Sequence, residues 1–93
     1  LYGLVKQLKG YSRKIILFGS CAEGTNAKES DIDLFIQSER KSEILNLLHR
    51  YGMQIDRKIA PVIATANELA KMRRIDEPLY GNIMRGIELW RSE

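Results

Sequence analysis

Phe18-Gly19-Ser20-Cys21-Ala22-Glu23-Gly24 is followed, a few residues later, by Ser30-Asp31-Ile32-Asp33-Leu34, and ten residues lie between Ser20 and Asp31. Carboxylates at i and i+2 of a strand project to the same face, an arrangement that can hold a divalent cation. A small turn containing glycine can bring backbone N–H groups against a phosphate. The two stretches together predict a site for a metal and a triphosphate, and hence phosphoryl or nucleotidyl chemistry.

Hydrophobic spacing outside these stretches predicts alternating helices and strands. The predicted elements are a helix over 2–10, strands over 14–18 and 31–37, a helix over 42–51, a strand over 54–65, a helix from Thr65 or Asn67 to about 74, and a helix over 77–90. Pro61 predicts that the third strand lies at a sheet edge or contains a bulge. The order predicts an α/β (α+β) domain, a small mixed sheet with helices packed on one face.

Size and composition set the class of protein. Ninety-three residues, 44% hydrophobic and 29% charged, predict one soluble globular domain spanning 1–93. The sequence shows no apolar run long enough for a membrane span and no signal-peptide pattern. A single cysteine fits a reducing, cytoplasmic setting. The net charge of +3 is too mild and scattered to indicate direct nucleic-acid binding. Because the chain begins at Leu1 rather than at a methionine, one hypothesis is that it is a fragment of a longer protein with an additional amino-terminal domain.

Plainer interpretations of the two stretches exist. Asp31 and Asp33 could simply lie on the wet face of an alternating strand, since charged residues are mostly exposed. That placement brings two like charges together on a strand, and a bound Mg²⁺ would offset the repulsion. The turn is not a Walker loop, because Thr25-Asn26 follows Gly24 where Lys-Ser or Lys-Thr is required.

The combined pattern Leu17-Phe18-Gly19-Ser20-x-x-x-Gly24, then Ser30-Asp31-Ile32-Asp33-Leu34, resembles the signature of the minimal nucleotidyltransferases of the DNA polymerase β superfamily. The resemblance implies a mixed sheet with the site on its open face. It implies that Gly19, Ser20 and Ser30 bind the nucleotide. It also implies that Asp31 and Asp33 are catalytic and hold Mg²⁺ or Mn²⁺, with ATP or another NTP as substrate.

The third strand departs from the family pattern. Active members carry a third carboxylate there, whereas the centre of this strand is Ala60-Pro61. Asp56 is the one acid within reach in the sequence. Either Asp56 substitutes for the third carboxylate, or that ligand is absent and catalysis is weakened or lost.

The loop after the Gly-Ser pair also departs in charge. Many relatives place arginines there, but this chain has Cys21 and Glu23. The alternative sources of a positive charge near the phosphates are Lys28, Arg57 and Lys58.

Two functional hypotheses follow. The first is a nucleotidyltransferase that moves a nucleoside monophosphate from an NTP, with ATP expected, onto a hydroxyl of a protein or small molecule. For such small members the resemblance implies a helical HEPN-type partner in a toxin–antitoxin pair, and a homo-oligomer is a further option. The second is a catalytically weak or inactive nucleotide-binding or regulatory module, including a fragment of a protein with a DNA-binding domain. Release of pyrophosphate in the presence of an acceptor distinguishes them.

Overall fold

The computed structural model describes residues 2–19 and 31–92. Within those ranges the chain forms α1 (Tyr2–Leu8), β1 (Lys14–Phe18), β2 (Ile32–Gln37), α2 (Lys41–Ile55), β3 (Ile59–Ala64), α3 (Ala66–Ile75), α4 (Glu77–Met84) and β4 (Ile87–Arg91).

The strands form one mixed sheet in the order β3-β2-β1-β4. β1 runs antiparallel to both β2 and β4, whereas β2 and β3 are parallel. The parallel pair requires a crossover, and α2 provides it between β2 and β3. As a result, the end of β1 and the beginnings of the other three strands meet at the same end of the sheet.

Apolar side chains cover both faces of the central strands. The first core cluster contains Leu4, Leu8, Ile15, Leu17, Ile32, Leu34, Ile36, Ile44 and Leu48. The second contains Ile16, Phe18, Phe35, Ala64 and Ile83. The first cluster joins the sheet to α1 and α2, and the second joins it to α4, with Leu69 and Met72 of α3 packed against it.

The predicted α+β class with a small mixed sheet is confirmed, and one detail differs from the expectation. Helices pack on both faces of the sheet rather than one. The reason lies in β1, where four consecutive residues, Ile15 to Phe18, are all buried. A strand that is apolar on both sides needs cover on both sides.

Some element boundaries also differ from the prediction, and α1 ends at Leu8 rather than at residue 10. α2 continues through Gly52 to Ile55, because Tyr51 and Ile55 pack against the first cluster and favour one more turn. It ends at Asp56, whose φ of 53° and ψ of 43° are left-handed. The third strand is therefore shortened to β3. None of the helices within residues 2–19 and 31–92 is long and apolar enough to cross a membrane.

The expectation of a helix over 77–90 was wrong in its last part. α4 ends at Met84, and residues 87–91 pair with the outer edge of β1 as β4. Gly86 makes the change of direction close to β1: a Cβ there would lie 2.8 Å from Cγ2 of Ile16 and 2.9 Å from Cβ of Phe18. Strand pairing with β1 thus outweighs the helical spacing of the apolar residues.

Pro61 lies on an edge strand, as predicted. The backbone N–H of Ile32 donates to the carbonyl of Lys58, and that of Ser38 donates to the carbonyl of Ala64, each at 3.0 Å. Residues 58 and 64 therefore face β2, and by alternation Pro61 faces away from it. A proline on that side costs no hydrogen bond of the sheet, and the pairing with β2 shows a continuous register without a bulge.

Candidate active site

Gly19 and Asp33 bring the two sequence stretches into contact. Asp33 of β2 is the register partner of Phe18, the last residue of β1, and Gly19 follows directly. Gly19 has a φ of 75°, which side chains of L-residues rarely adopt. A Cβ at this position would lie 3.1 Å from Cγ of Asp33 and closer still to its Oδ2. The Asp33 carboxylate therefore lies directly against the Gly19 backbone.

Asp31 and Asp33 are electrostatically coupled. Asp33 is half-buried within β2, and Asp31 is exposed immediately before the strand begins. Burial raises the pKa of Asp33 above its ordinary value, and the negative charge of Asp31 raises it further. The two carboxylates thus lie near enough to repel each other, and a cation between them would offset both causes.

Of the predicted site residues, the structure places Gly19 against Asp33, and Asp31 close enough to Asp33 to raise its pKa. Ser20 and Ser30, the other two predicted nucleotide contacts, lie outside the described residues, as does Lys28.

Ala60 occupies the β3 position beside Asp33. The two residues are register partners in the parallel pair, so their side chains share a face of the sheet. Asp56, in contrast, caps the C-terminal end of α2 and borders a groove with Leu48 and Pro61. The structure therefore does not place Asp56 beside Asp33.

The donor set fits a divalent cation held by two carboxylates. Among residues 2–19 and 31–92 there is no group of three or more His, Cys, Asp or Glu side chains that could hold a metal ion. Mg²⁺ prefers oxygen ligands and commonly combines one or two carboxylates with substrate phosphates and water. Asp31 and Asp33 match that requirement, and Mn²⁺ accepts the same ligands.

Among the described residues, the apolar cover on this face of the sheet ends near Asp33. Phe35, two residues beyond Asp33 on the same face, is fully buried in the second cluster beneath α4. Asp33 itself is only half-buried, so the cover stops between these residues.

The sequence did not predict that Gly86 lies beside the end of β1, near the candidate site. It packs against the backbone of Leu17, just before the β1 turn at Gly19. The signal that could have found it is the pair Gly81 and Gly86 within a predicted helix, since glycine disfavours helix interiors.

Comparison with known proteins identifies the class. Residues 3–84 match the family model of the nucleotidyltransferase domain, and the chain belongs to that family. The membership expected from the two stretches is thus confirmed.

Individual relatives are consistent with this assignment. A protein of Methanocaldococcus jannaschii named "Putative protein adenylyltransferase" is 36% identical over 62 residues, which are 60% of this chain and 63% of that protein. The match therefore spans less than two thirds of the relative's length.

Solved structures share the fold. A crystal structure of a toxin–antitoxin with AMP-PNP has a TM-score of 0.66 at 19% identity, and covers 99% of this chain and 71% of its own. A variant of the MntA–HpeT toxin–antitoxin has the same TM-score and coverage at 17% identity. At such identities the likeness establishes the nucleotidyltransferase fold alone.

Proposed function

We propose that this protein transfers a nucleoside monophosphate from an NTP, with ATP as the expected donor, to a hydroxyl group of an acceptor. The observation that carries the proposal is the contact between Gly19 and Asp33. In a chain of the nucleotidyltransferase family, this contact joins a glycine turn that suits phosphate binding to a carboxylate that suits metal binding.

The reaction forms one bond and breaks one. The acceptor oxygen attacks the α-phosphorus, the bond to the oxygen bridging the α- and β-phosphates breaks, and pyrophosphate leaves while the hydroxyl proton passes to solvent. Asp31 and Asp33 would hold Mg²⁺, which when bound supplies neutralisation of phosphate charge. Gly19, lacking a side chain, lets the phosphate chain approach the backbone at the end of β1.

The acceptor is proposed to be a hydroxyl of a protein. Support comes from the name of the Methanocaldococcus jannaschii relative, which is that of a protein adenylyltransferase. A small-molecule hydroxyl is the alternative outcome of an acceptor screen.

A protein partner is proposed as well. The structural relatives are toxin–antitoxin complexes, which supports a role in a toxin–antitoxin pair. The antitoxin half, paired with a helical HEPN-type protein, is the role that the family resemblance implies. A cytoplasmic location accords with that role.

The first test is titration calorimetry of ATP, with and without Mg²⁺, on the wild type and on Asp33→Asn. We expect Mg²⁺-dependent binding in the wild type and a loss of more than about tenfold in the variant, because a neutral amide is a poor ligand for a hard cation. Asp56→Asn is the matched control: it makes the same chemical change at the same end of the sheet, away from Asp33. No binding by the wild type would contradict the proposal.

A second candidate function has its own observation. Because Ala60 holds the position beside Asp33, the chain also suits a module that binds Mg²⁺ and nucleotide without turnover. In that case the wild type binds Mg²⁺–ATP but releases no pyrophosphate with any acceptor.

Ala60→Asp tests this candidate by adding a carboxylate beside Asp33. We expect tighter binding of Mn²⁺ by about tenfold, since a further oxygen ligand raises affinity for a divalent ion. Ala70→Asp, on the exposed side of α3, is the control for the added charge. An equal gain in both variants would mean that position 60 does not face the metal site.

A further inference from the structure

Lys58 lies in the hydrogen-bonding pattern of the sheet although it precedes β3. Its carbonyl accepts from the backbone N–H of Ile32 at 3.0 Å, the bond that begins the parallel pair. The next pairs are Ile32 with Ile59 and Asp33 with Ala60. Lys58 is therefore one step before β3 in the register and alongside Asp31 at the beginning of β2.

Strand alternation decides which face Lys58 occupies. Ile59 packs against the first cluster, on the face covered by α1 and α2. Residues 58 and 60 therefore project to the opposite face, which carries Asp33. Lys58 is exposed and also borders the groove that Leu48 and Gly52 of α2 line on the other face, so its position at the rim of the sheet gives a long side chain access to either face.

The reach of a lysine suits this position. Neighbouring strands are about 4.8 Å apart. A lysine carries a compact, mobile ammonium group on a four-carbon stem, which spans that separation. From its register position beside Asp31, the side chain of Lys58 is therefore long enough for its ammonium group to reach the two carboxylates.

The distribution of charge around the candidate site indicates a role for Lys58. The two carboxylates contribute negative charge, and bound phosphates would add more. Gly19 lies on the β1 side of Asp33, whereas Lys58 lies on the β3 side. If the terminal phosphates of an NTP lie at Gly19, the α-phosphate lies above the carboxylates, within reach of β3.

Resting on the proposed function, we propose that Lys58 contacts the α-phosphate of the bound nucleotide from the β3 side of the site. A charge-assisted hydrogen bond from an ammonium group is stronger than a neutral one. The contact would partly replace the positive charge that the Cys21–Glu23 stretch does not provide.

The test is calorimetry with Mg²⁺–ATP and with Mg²⁺–AMP, at two salt concentrations and without an acceptor. Lys58→Met should weaken both nucleotides about tenfold, because the α-phosphate is common to them. It should also reduce the dependence of binding on salt. Lys58→Arg keeps the charge and should retain most of the affinity. The control is Lys9→Met, which removes an exposed lysine just after α1 and gives the same net charge as Lys58→Met. Its nucleotide affinity should equal that of the wild type.

The outcomes separate this inference from the proposed function. Wild-type affinity in Lys58→Met, or an equal loss in Lys9→Met, would show that Lys58 is an ordinary surface charge. A loss in Lys58→Arg as large as in Lys58→Met would show that charge is not the reason. Weaker binding of ATP with unchanged AMP would place the contact at the terminal phosphates and overturn the assignment. A wild type that binds neither nucleotide contradicts the proposed function itself.

Discussion

At position 19 the backbone is left-handed and the Asp33 carboxylate lies where a side chain would begin. The two constraints are independent, because one concerns the dihedral angle and the other concerns space. They explain why the turn after β1 needs a glycine whether or not a nucleotide is bound. The same contact makes the position of the Asp33 carboxylate depend on Gly19.

Gly19→Ala is expected to weaken both folding and binding. An alanine in left-handed conformation costs about 1–2 kcal/mol, and its methyl group would push the Asp33 carboxylate away. Urea unfolding and calorimetry with Mg²⁺–ATP measure the two effects. Gly10→Ala is the control, because a Cβ at Gly10 has no neighbour within 4 Å. Unchanged nucleotide binding in Gly19→Ala would contradict the proposed role of this turn.

Asp33→Asn is expected to raise stability at neutral pH when metal is chelated. The pKa of Asp33 is raised in the folded state, by burial first and by Asp31 second. The native protein therefore binds more protons than the unfolded chain between the two pKa values, and stability falls as the pH rises through that window. Asp33→Asn has no ionisable group at this position, so its stability does not decrease with pH in this way.

Thermal unfolding in EDTA across the acidic to neutral range measures the effect. The variant should melt a few degrees above the wild type at neutral pH, and the difference should disappear below the ordinary carboxyl pKa. Mg²⁺ should raise the melting temperature of the wild type but not of the variant. A variant less stable than the wild type at neutral pH would contradict the electrostatic interpretation.

Among the elements, β4 depends most on a single close approach. Gly86 packs on β1 so tightly that a Cβ would lie 2.9 Å from that of Phe18, with the Leu17 carbonyl closer still. Gly86→Ala should lower the free energy of unfolding by about 1–3 kcal/mol, the usual range for overpacking. Gly3→Ala, in α1 with open space around it, should be neutral or stabilising. Equal stability of the two variants would show that β4 can move away without cost.

The elements also show what a sequence can predict here. β1 and β2 were predicted because they are short apolar runs with the motif at their ends, and the contact of Gly19 with Asp33 follows from their pairing. The last strand could not be predicted in the same way, since its partner is the far edge of β1, about seventy residues earlier in the chain. Local spacing records helical periodicity, whereas strand pairing depends on a distant neighbour.

The candidate site shows the same limit. The two carboxylates of β2 were visible in the sequence because they are two residues apart. The residue beside them on β3 depends on the length of α2. This helix ends at Ile55, four residues beyond the end at Tyr51 that its apolar spacing predicts. The register that places Ala60 beside Asp33 is therefore a property of the folded chain.

At the scale of the whole molecule, the sheet is shared by two apolar clusters. Each cluster uses alternate residues of the same central strands, so neither can be lost without exposing the back of the other. We therefore expect a single cooperative unfolding transition for the chain.

Ile44→Ala and Ile83→Ala test this expectation from opposite faces. Both side chains are fully buried, and each substitution should lower the free energy of unfolding by about 2–5 kcal/mol. Trp90 fluorescence and far-ultraviolet circular dichroism should report the same midpoint in each variant. Ile75→Ala, with its side chain 81% exposed, is the control. Separate midpoints for the two probes would mean that the faces unfold independently.

Pro61 has a consequence for how copies of this chain behave at high concentration. An edge strand normally exposes alternating backbone N–H and C=O groups that can pair with a strand of another molecule, and such pairing promotes fibril growth. Here the middle of that border presents a carbonyl without a matching N–H, so an incoming strand meets a mismatch at its centre. The residue that interrupts the strand pattern in the sequence thereby acts as a gatekeeper against self-assembly, while the opposite side of the same strand keeps its full pairing with β2.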